Sequence, residues 1–274
     1  MTDWCLGQGD HPRHDLRKTP LTWIHSDHTS REGQAHLYLP GVDIVLATDK
    51  DCHLIGLWSP LLMDRTTAIS QPVQTPNGRA EPRYRQATDV IFDGQTSQTI
   101  TNLRRINIRS PWQPRELIPG LVGFDDQPDS DIVGSCLNGS FVEITLLQHE
   151  AWRLLRYIQN LCGRSFKICP LSDAFFGRIP LEPRTIDSAV RHIDGDVLTS
   201  LVEHGEETLR ELLNADHNPT TSLRRMPRTY PSPEQRHDTL REYLQELCGS
   251  SDRTDSELVH EILGYLRKVL QCSF

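Results

Sequence analysis

The chain has 274 residues, which is long enough to bury an apolar core without disulfides or bound metal. It carries 37 acidic and 29 basic side chains, and the formal net charge of -8 at pH 7 argues against a general phosphate-binding surface, because nucleic-acid affinity rests on clustered positive charge. The 7 cysteines are odd in number and never spaced as Cys-x-x-Cys, so we expect free thiols in a reducing compartment.

Residues 1–35 form a segment that we expect to be rich in loops. It lacks the apolar stretch of a secretory signal, and the whole chain lacks the run of roughly 20 apolar residues that spans a bilayer. Its candidate metal ligands are Cys5, His11, His14, His25 and His28. They leave a small metal-dependent enzyme as one alternative, but Pro12 opposes a helix that would present two imidazoles. The main expectation is solvated histidines, with no metal and no cofactor.

The first strand pattern covers residues 36–58, which read HLYLPGVDIVLATDKDCHLIGLW. VDIVLAT and HLIGLW are short β-prone runs, and the turn-prone DKDC between them predicts a hairpin. Residues 59–84 are rich in Pro, Thr, Gln and Arg and predict a long surface insertion. Downstream, DVIFDGQTSQTI and LRRINIR offer one or two further strands.

A second hairpin is predicted where DIVGSC, LNG and SFVEITLL follow one another from Asp131. Asn138-Gly139 between these runs is the strongest short-range signal of a hairpin. Hairpins that recur with about 40 to 50 residues per four-stranded unit are typical of propeller blades. Residues 36–147 therefore predict a partial β-propeller of about two blades.

A helical domain is predicted over residues 148–274, where the period of the apolar residues changes from two to 3.6. We expect the first helix to end at Gly163 in a left-handed cap. In SPEQRHDTLREYLQELCG, Ser232 is the predicted N-cap and Gln235 completes a capping box, with Gly249 closing the helix. A last helix begins near Asp255. The predicted buried stripes are Ala151, Leu154, Leu155, Ile158, Leu161 and Cys162; Leu240, Tyr243, Leu244, Leu247 and Cys248; and Leu258, Val259, Ile262, Leu263, Leu266, Val269 and Leu270.

The stretch HIDGDVLTSLV places two aspartates around a glycine, just before a helical apolar stripe. The Asp194 carboxylate can accept the amide hydrogens of Asp196 or Val197, and Asp196 adds negative charge at the positive end of the helix dipole. Calcium is a poor alternative, because no frame through Asp194 or Asp196 supplies the oxygen ligands of an EF-hand loop. We therefore expect a helix cap here.

Three motifs, in this order and spacing, resemble a known family. They are the hairpin with Leu137-Asn138-Gly139, the aromatic helix AWRLLRYIQNL, and Ile193-Asp194-Gly195-Asp196 with its apolar continuation. The chain from about Asp131 resembles the C-terminal region shared by the damaged-DNA-binding large subunit, the cleavage and polyadenylation specificity factor A subunit and splicing factor 3b subunit 3. LATDKDCHLIGL and DVIFDGQTSQT resemble an upstream hairpin and strand of that family. The family usually has Gly-Phe before the Ile-Asp-Gly-Asp core, where this chain has Arg191-His192.

The resemblance implies a fold and a function. Members of the family are longer and consist of propellers followed by a helical domain, so this chain would correspond to the last blades and the helices. They are scaffolds that join ubiquitin ligases to substrate receptors or assemble RNA-processing complexes. The implied function is a non-catalytic nuclear adaptor for protein partners in DNA repair; a scaffold for mRNA cleavage and polyadenylation or for splicing is the alternative. The cullin-binding propeller of the family lies outside the matching region, and its activity carries over to no residue here.

Two arginine clusters are candidates for phosphate contact. LRRINIR contains Arg104, Arg105 and Arg109, and LRRMPR contains Arg224, Arg225 and Arg228. Neither cluster has interleaved aromatic residues for base stacking, so exposed arginines on a strand face or loop are the simpler interpretation. Nucleic-acid binding remains a secondary hypothesis.

Motifs of catalysis are missing from the sequence. It contains no Gly-x-Ser-x-Gly elbow and no phosphate-binding glycine loop followed by lysine. GLVGF, residues 120–124, lacks the glycine spacing of a dinucleotide loop and instead predicts a turn before the last hairpin. The nearest approach to a nucleophile is Cys136 or Cys162, and we expect both thiols to be buried in the core. The sequence predicts a protein that is not an enzyme.

Overall fold

The computed structural model describes residues 3–6, 22–26, 31–40, 42–58, 89–106, 118–122, 131–170, 181, 191–215, 230–249 and 254–270. The chain divides into two compact units. The first, the β unit, comprises residues 1–106 and 124–144, and the second, the helical unit, comprises residues 107–123 and 145–274. The expected combination of β and α structure is confirmed at this coarse level, with antiparallel sheets in one unit and helices in the other.

The β unit is built from antiparallel sheets. A pair is formed by β1 (Asp3–Leu6) and β2 (Thr22–Ser26). The main sheet has the order β3 (Gly33–Leu39), β4 (Ile44–Asp49), β5 (His53–Trp58) and β6 (Asp89–Gln95). A three-stranded sheet has the order β7 (Ile100–Ile106), β8 (Asp131–Cys136) and β9 (Phe141–Ile144). Among the described residues these strands form no closed barrel and no propeller ring.

The predicted strands correspond closely to those of the main sheet. The hairpin expected around DKDC is β4–β5, in which Thr48 pairs with Leu54. The two runs expected to give one or two strands give β6 and β7. The inner strands are buried because their apolar residues point to both faces: Leu46 is fully buried on β4, and Ile55 and Leu57 are both 2% exposed on β5.

The helical unit contains α1 (His149–Cys162), α2 (Gly195–Asn214), α3 (Pro233–Cys248) and α4 (Asp255–Val269). Their apolar stripes bury one shared core, to which α1 contributes Leu154, Ile158 and Leu161, all fully buried. Tyr157 on α1 meets Tyr243 on α3 edge to face, with ring centroids 5.7 Å apart. No helix in the described part of the chain has the length and apolar character needed to cross a membrane.

The helix ends can be compared with the caps that the sequence predicts. Ser232 accepts a hydrogen bond from the Gln235 amide and completes the predicted capping box, and Gly249 has the expected left-handed φ of 75°. The left-handed cap predicted at Gly163 is wrong: its φ is -60° and its ψ -11°. The reason is that the chain continues in a tight right-handed turn, with the Arg164 amide donating to the Leu161 carbonyl over 2.9 Å. Cys248 was expected in the buried stripe of α3 but is exposed, because the last residue of that stripe to pack against the core is Leu247, which is partly buried.

A short segment before β8 belongs to the helical unit. Leu121 forms an isolated antiparallel bridge with Leu147, and the Gln148 amide donates to the Gly120 carbonyl over 2.7 Å. Gly120 has a φ of 79°, and a Cβ built on it would lie 2.5 Å from the Ala151 Cβ, so this position requires glycine. The turn expected at GLVGF is found at Gly120, packed against α1.

Candidate interaction surface

The tip of the β8–β9 hairpin is held by a dense set of hydrogen bonds. The Cys136 amide donates to the Ser140 carbonyl over 2.8 Å, and the Gly139 amide donates to the Cys136 carbonyl over 3.0 Å. The Asn138 Oδ1 accepts from the amide and the hydroxyl of Ser140, at 3.0 and 2.7 Å. Gly139 has a positive φ of 86°, whereas Asn138 does not, so the predicted hairpin forms with only its glycine in the left-handed region. The backbone of Leu137-Asn138-Gly139 is therefore fixed.

Two large apolar side chains flank this rigid turn, and we call Leu137 and Phe141 the apolar tip. They are 76% and 63% exposed, more than any other large apolar side chain whose burial the structure describes. The Leu137 amide donates to the Thr99 carbonyl over 2.9 Å, so the backbone is anchored while the side chain stays in water. Large apolar groups exposed beside a fixed turn can bury area on a partner at a low entropic cost. The apolar tip is the best candidate for an interaction surface in the β unit.

The candidate phosphate-binding arginines do not converge in the described structure. Arg104 and Arg105 are consecutive on β7, where they pair with Val133 and Ile132 of β8. Because successive strand residues point to opposite faces, these two guanidinium groups lie on opposite sides of the sheet. Arg109, Arg224, Arg225 and Arg228 lie outside the described residues. The strand supplies single arginines rather than a cationic patch.

One charged network in the β unit was not anticipated from the sequence. Asp93 on β6 accepts a hydrogen bond from Arg31 Nη2 at 2.9 Å and lies 2.7 Å from His53 Nδ1 at the start of β5. Asp49 at the end of β4 lies 3.5 Å from Arg31 Nη1 and accepts the His53 amide over 2.9 Å. The network joins Arg31, two residues before β3, to the end of β4, the start of β5 and the interior of β6.

The electrostatics of this network favour a structural role. Burial acts to raise the pKa of the Asp93 carboxyl, but the hydrogen bonds from His53 and Arg31 outweigh it and hold that pKa below its usual range. A carboxylate that is held ionised by a cation on one side and an imidazole on the other is a stable acceptor. The network therefore ties neighbouring strands together.

The Ile193-Asp194-Gly195-Asp196 motif starts α2, as the sequence predicts. The Asp194 Oδ1 accepts the amides of Asp196 and Val197 at 3.0 and 3.4 Å. The Asp194 amide in turn donates to Gln159 Oε1 on α1 over 2.8 Å. Ile193 packs against the helical core. The motif caps α2 and fixes its first turn on α1, which is a structural role.

Metal binding and covalent catalysis gain no support from the described residues. Among them, no group of three or more His, Cys, Asp or Glu side chains is placed to hold a metal ion. Of the N-terminal candidates, Cys5 and His25 lie on β1 and β2, and His11, His14 and His28 fall outside the described part. Cys136 and Cys162 are buried, as expected, and burial raises the pKa of the Cys162 thiol far above its ordinary value. Such a thiol stays protonated and is a poor nucleophile.

Comparison with known proteins adds no assignment. No model of a protein family matches the chain. A search of curated proteins finds no significant match either.

Proposed function

We propose that this chain is a non-catalytic scaffold that binds a protein partner through the apolar tip of its β unit. The observation that carries the proposal is the 76% and 63% exposure of Leu137 and Phe141 on a hairpin whose turn is fixed by hydrogen bonds. Contacts of this kind, in which a few buried apolar anchors supply most of the binding free energy, are typical of protein interfaces.

The arrangement of the β unit is consistent with blades of a partial propeller. The main sheet is an antiparallel meander of four strands in sequential order, which is the pattern of one blade. The second sheet is also a sequential meander but has three described strands. In this proposal the two sheets are the last blades that the family resemblance implies, and the helical unit is the terminal domain that follows them.

A protein partner fits the charge distribution better than nucleic acid does. The chain has a formal net charge of -8, and Arg104 and Arg105 lie on opposite faces of β7. Binding to phosphates relies on several cationic groups that act on one surface. The resemblance supports a nuclear adaptor of the DNA-repair type, which would join a ubiquitin ligase complex to other proteins. The identity of the partner distinguishes this branch from a scaffold for RNA processing.

The test begins with a photo-crosslinking amino acid placed at position 137 of the full chain in nuclear extract. The crosslinked partner is identified, purified and titrated against the unmodified chain. The double variant L137S/F141S should then bind at least about 30-fold more weakly, because interface anchors contribute about 2 kcal/mol or more.

The matched control is I106S. Ile106 is an apolar residue of the same sheet, 39% exposed, and it pairs with Asp131 at the end of β8 away from the hairpin turn. This variant should bind like the unmodified chain. Equal affinity of the L137S/F141S variant and the unmodified chain, or an equal loss in I106S, would refute the proposed surface.

A further inference from the structure

One buried histidine connects three helices of the helical unit. His237, in the first turns of α3, is 6% exposed. Its Nε2 lies 3.3 Å from Asn214 Oδ1 at the end of α2. Its Nδ1 lies 3.4 Å from Asp255 Oδ1, on the first residue of α4. A single imidazole therefore stands where the ends of α2 and α4 meet α3, and its protonation state bears on all three.

The neutral ring suits this site better than the charged ring does. Neutral imidazole with its proton on Nε2 donates to Asn214 Oδ1 and needs no counter-ion. A proton added at Nδ1 would face Asp255, but Asp255 already pairs with Arg241 and its side chain is 62% exposed. Water screens an exposed carboxylate, whereas a buried imidazolium loses most of its hydration.

The other charges around the ring do not reverse this preference. On α3 itself, Arg236 and Arg241 disfavour a further positive charge, while Asp238 favours it. Asp238 is the partner of Arg241 and its side chain is 74% exposed, so its influence is screened as well. On α4 the facing group is Asp255, and α2 contributes the uncharged amide of Asn214. Burial and two cations on α3 thus disfavour the charged ring, and two exposed carboxylates favour it.

We propose that His237 makes the junction of α2, α3 and α4 sensitive to protons, so that the first turn of α4 separates from α3 as the pH falls below about 6.5. Separation of the first turn of α4 exposes the imidazole and disrupts little other structure, because α4 begins at Asp255. That residue is held against α3 by His237 and Arg241. The device is a conformational one and does not depend on the proposed partner surface.

The sign of the effect follows from linkage. Burial is the main cause that lowers the pKa of His237 below its ordinary value in the closed helical unit. An opened or unfolded state binds the proton more tightly than the closed state does. The stability that the neutral ring contributes is therefore fully present above the unfolded-state pKa of about 6.5 and is lost as the pH falls toward the folded-state pKa.

Hydrogen exchange of the full chain, followed by mass spectrometry at pH 7.5 and 5.5 and corrected for intrinsic rates, tests the proposal. We expect the amides of Asp255–Leu263 to lose protection at the lower pH, while those of Ala151–Leu161 on α1 keep theirs. H237Q should abolish the difference, because glutamine keeps an amide donor for Asn214 but does not titrate. H204Q is the matched control: His204 is exposed on α2 and its ring Nδ1 lies 2.7 Å from the Ser200 carbonyl of the same helix, so this variant should respond to pH as the unmodified chain does.

A second variant covers the case in which H237Q fails to fold. D255N removes the carboxylate that faces Nδ1, so its loss of protection between pH 7.5 and 5.5 should be larger than that of the unmodified chain. Three results would overturn the proposal: unchanged protection of α4 in the unmodified chain, an unchanged acid response in folded H237Q, or a smaller response in D255N.

Discussion

At the scale of single residues, Asp194 offers a direct measurement of a helix cap. Its side chain accepts two amide hydrogens at the start of α2, one of them at 3.0 Å. D194A should therefore lower the free energy of unfolding by about 1 kcal/mol. D194N is the control and should cost little, because asparagine caps helices about as well as aspartate. Chemical denaturation measures both, and a loss of several kcal/mol in D194A would show that the carboxylate does more than cap.

The residues that could be predicted are those whose partners are close in sequence. Asp194 and Ser232 satisfy amides two or three positions ahead, so spacing alone predicted their roles. The hydrogen bond between His53 and Asp93 joins residues 40 positions apart, and no local pattern indicates which strands become neighbours. His237 was likewise invisible, because its environment depends on how three helices pack. Hydrogen bonds between residues close in sequence can be predicted from local spacing. The charges around a residue cannot, because they depend on how distant segments pack.

At the scale of elements, two glycines within helices should respond to substitution with opposite signs. Gly205 interrupts α2 with φ 76° and ψ -167°, a conformation that essentially only glycine adopts. G205A should therefore cost about 1 to 3 kcal/mol, although nothing lies within 4 Å of the added Cβ. Gly264 lies inside α4 with the same free space, and G264A should stabilise the chain by about 0.5 to 1 kcal/mol.

Unfolding of the two variants by denaturant, monitored by the helical circular dichroism signal, compares them directly. Stabilisation by G205A would mean that α2 can continue as a regular helix through this position. The apolar period of α2 runs on both sides of Gly205, with Leu201 and Leu209 both fully buried. For this reason the sequence predicted the start of a helix but not its interruption.

For the chain as a whole, the sequence predicts only part of the boundary between the two units. The change of apolar period near Leu147 marks the start of the helices, and the structure agrees with it to within a few residues. Residues 107–123, however, belong to the helical unit although the rest of the preceding sequence belongs to the β unit. A periodicity argument cannot reveal this, because the segment returns to the helices through pairing with residues 146 and 147.

The pairing of this segment with residues 146 and 147 predicts how a stable helical unit can be isolated. A piece that begins at residue 148 loses the hydrogen bonds from the Val122 amide to Leu146, from the Gln148 amide to Gly120 and from the Tyr265 hydroxyl to Pro119. Residues 107–123 can instead be joined to residue 145 by an Asn-Gly turn, since the two segments are antiparallel. With each hydrogen bond contributing about 1 kcal/mol, the joined piece should be more stable than the shorter one by about 3 kcal/mol. Denaturation of the two purified pieces measures the difference, and equal stability would mean that the segment before β8 adds nothing to the helical unit.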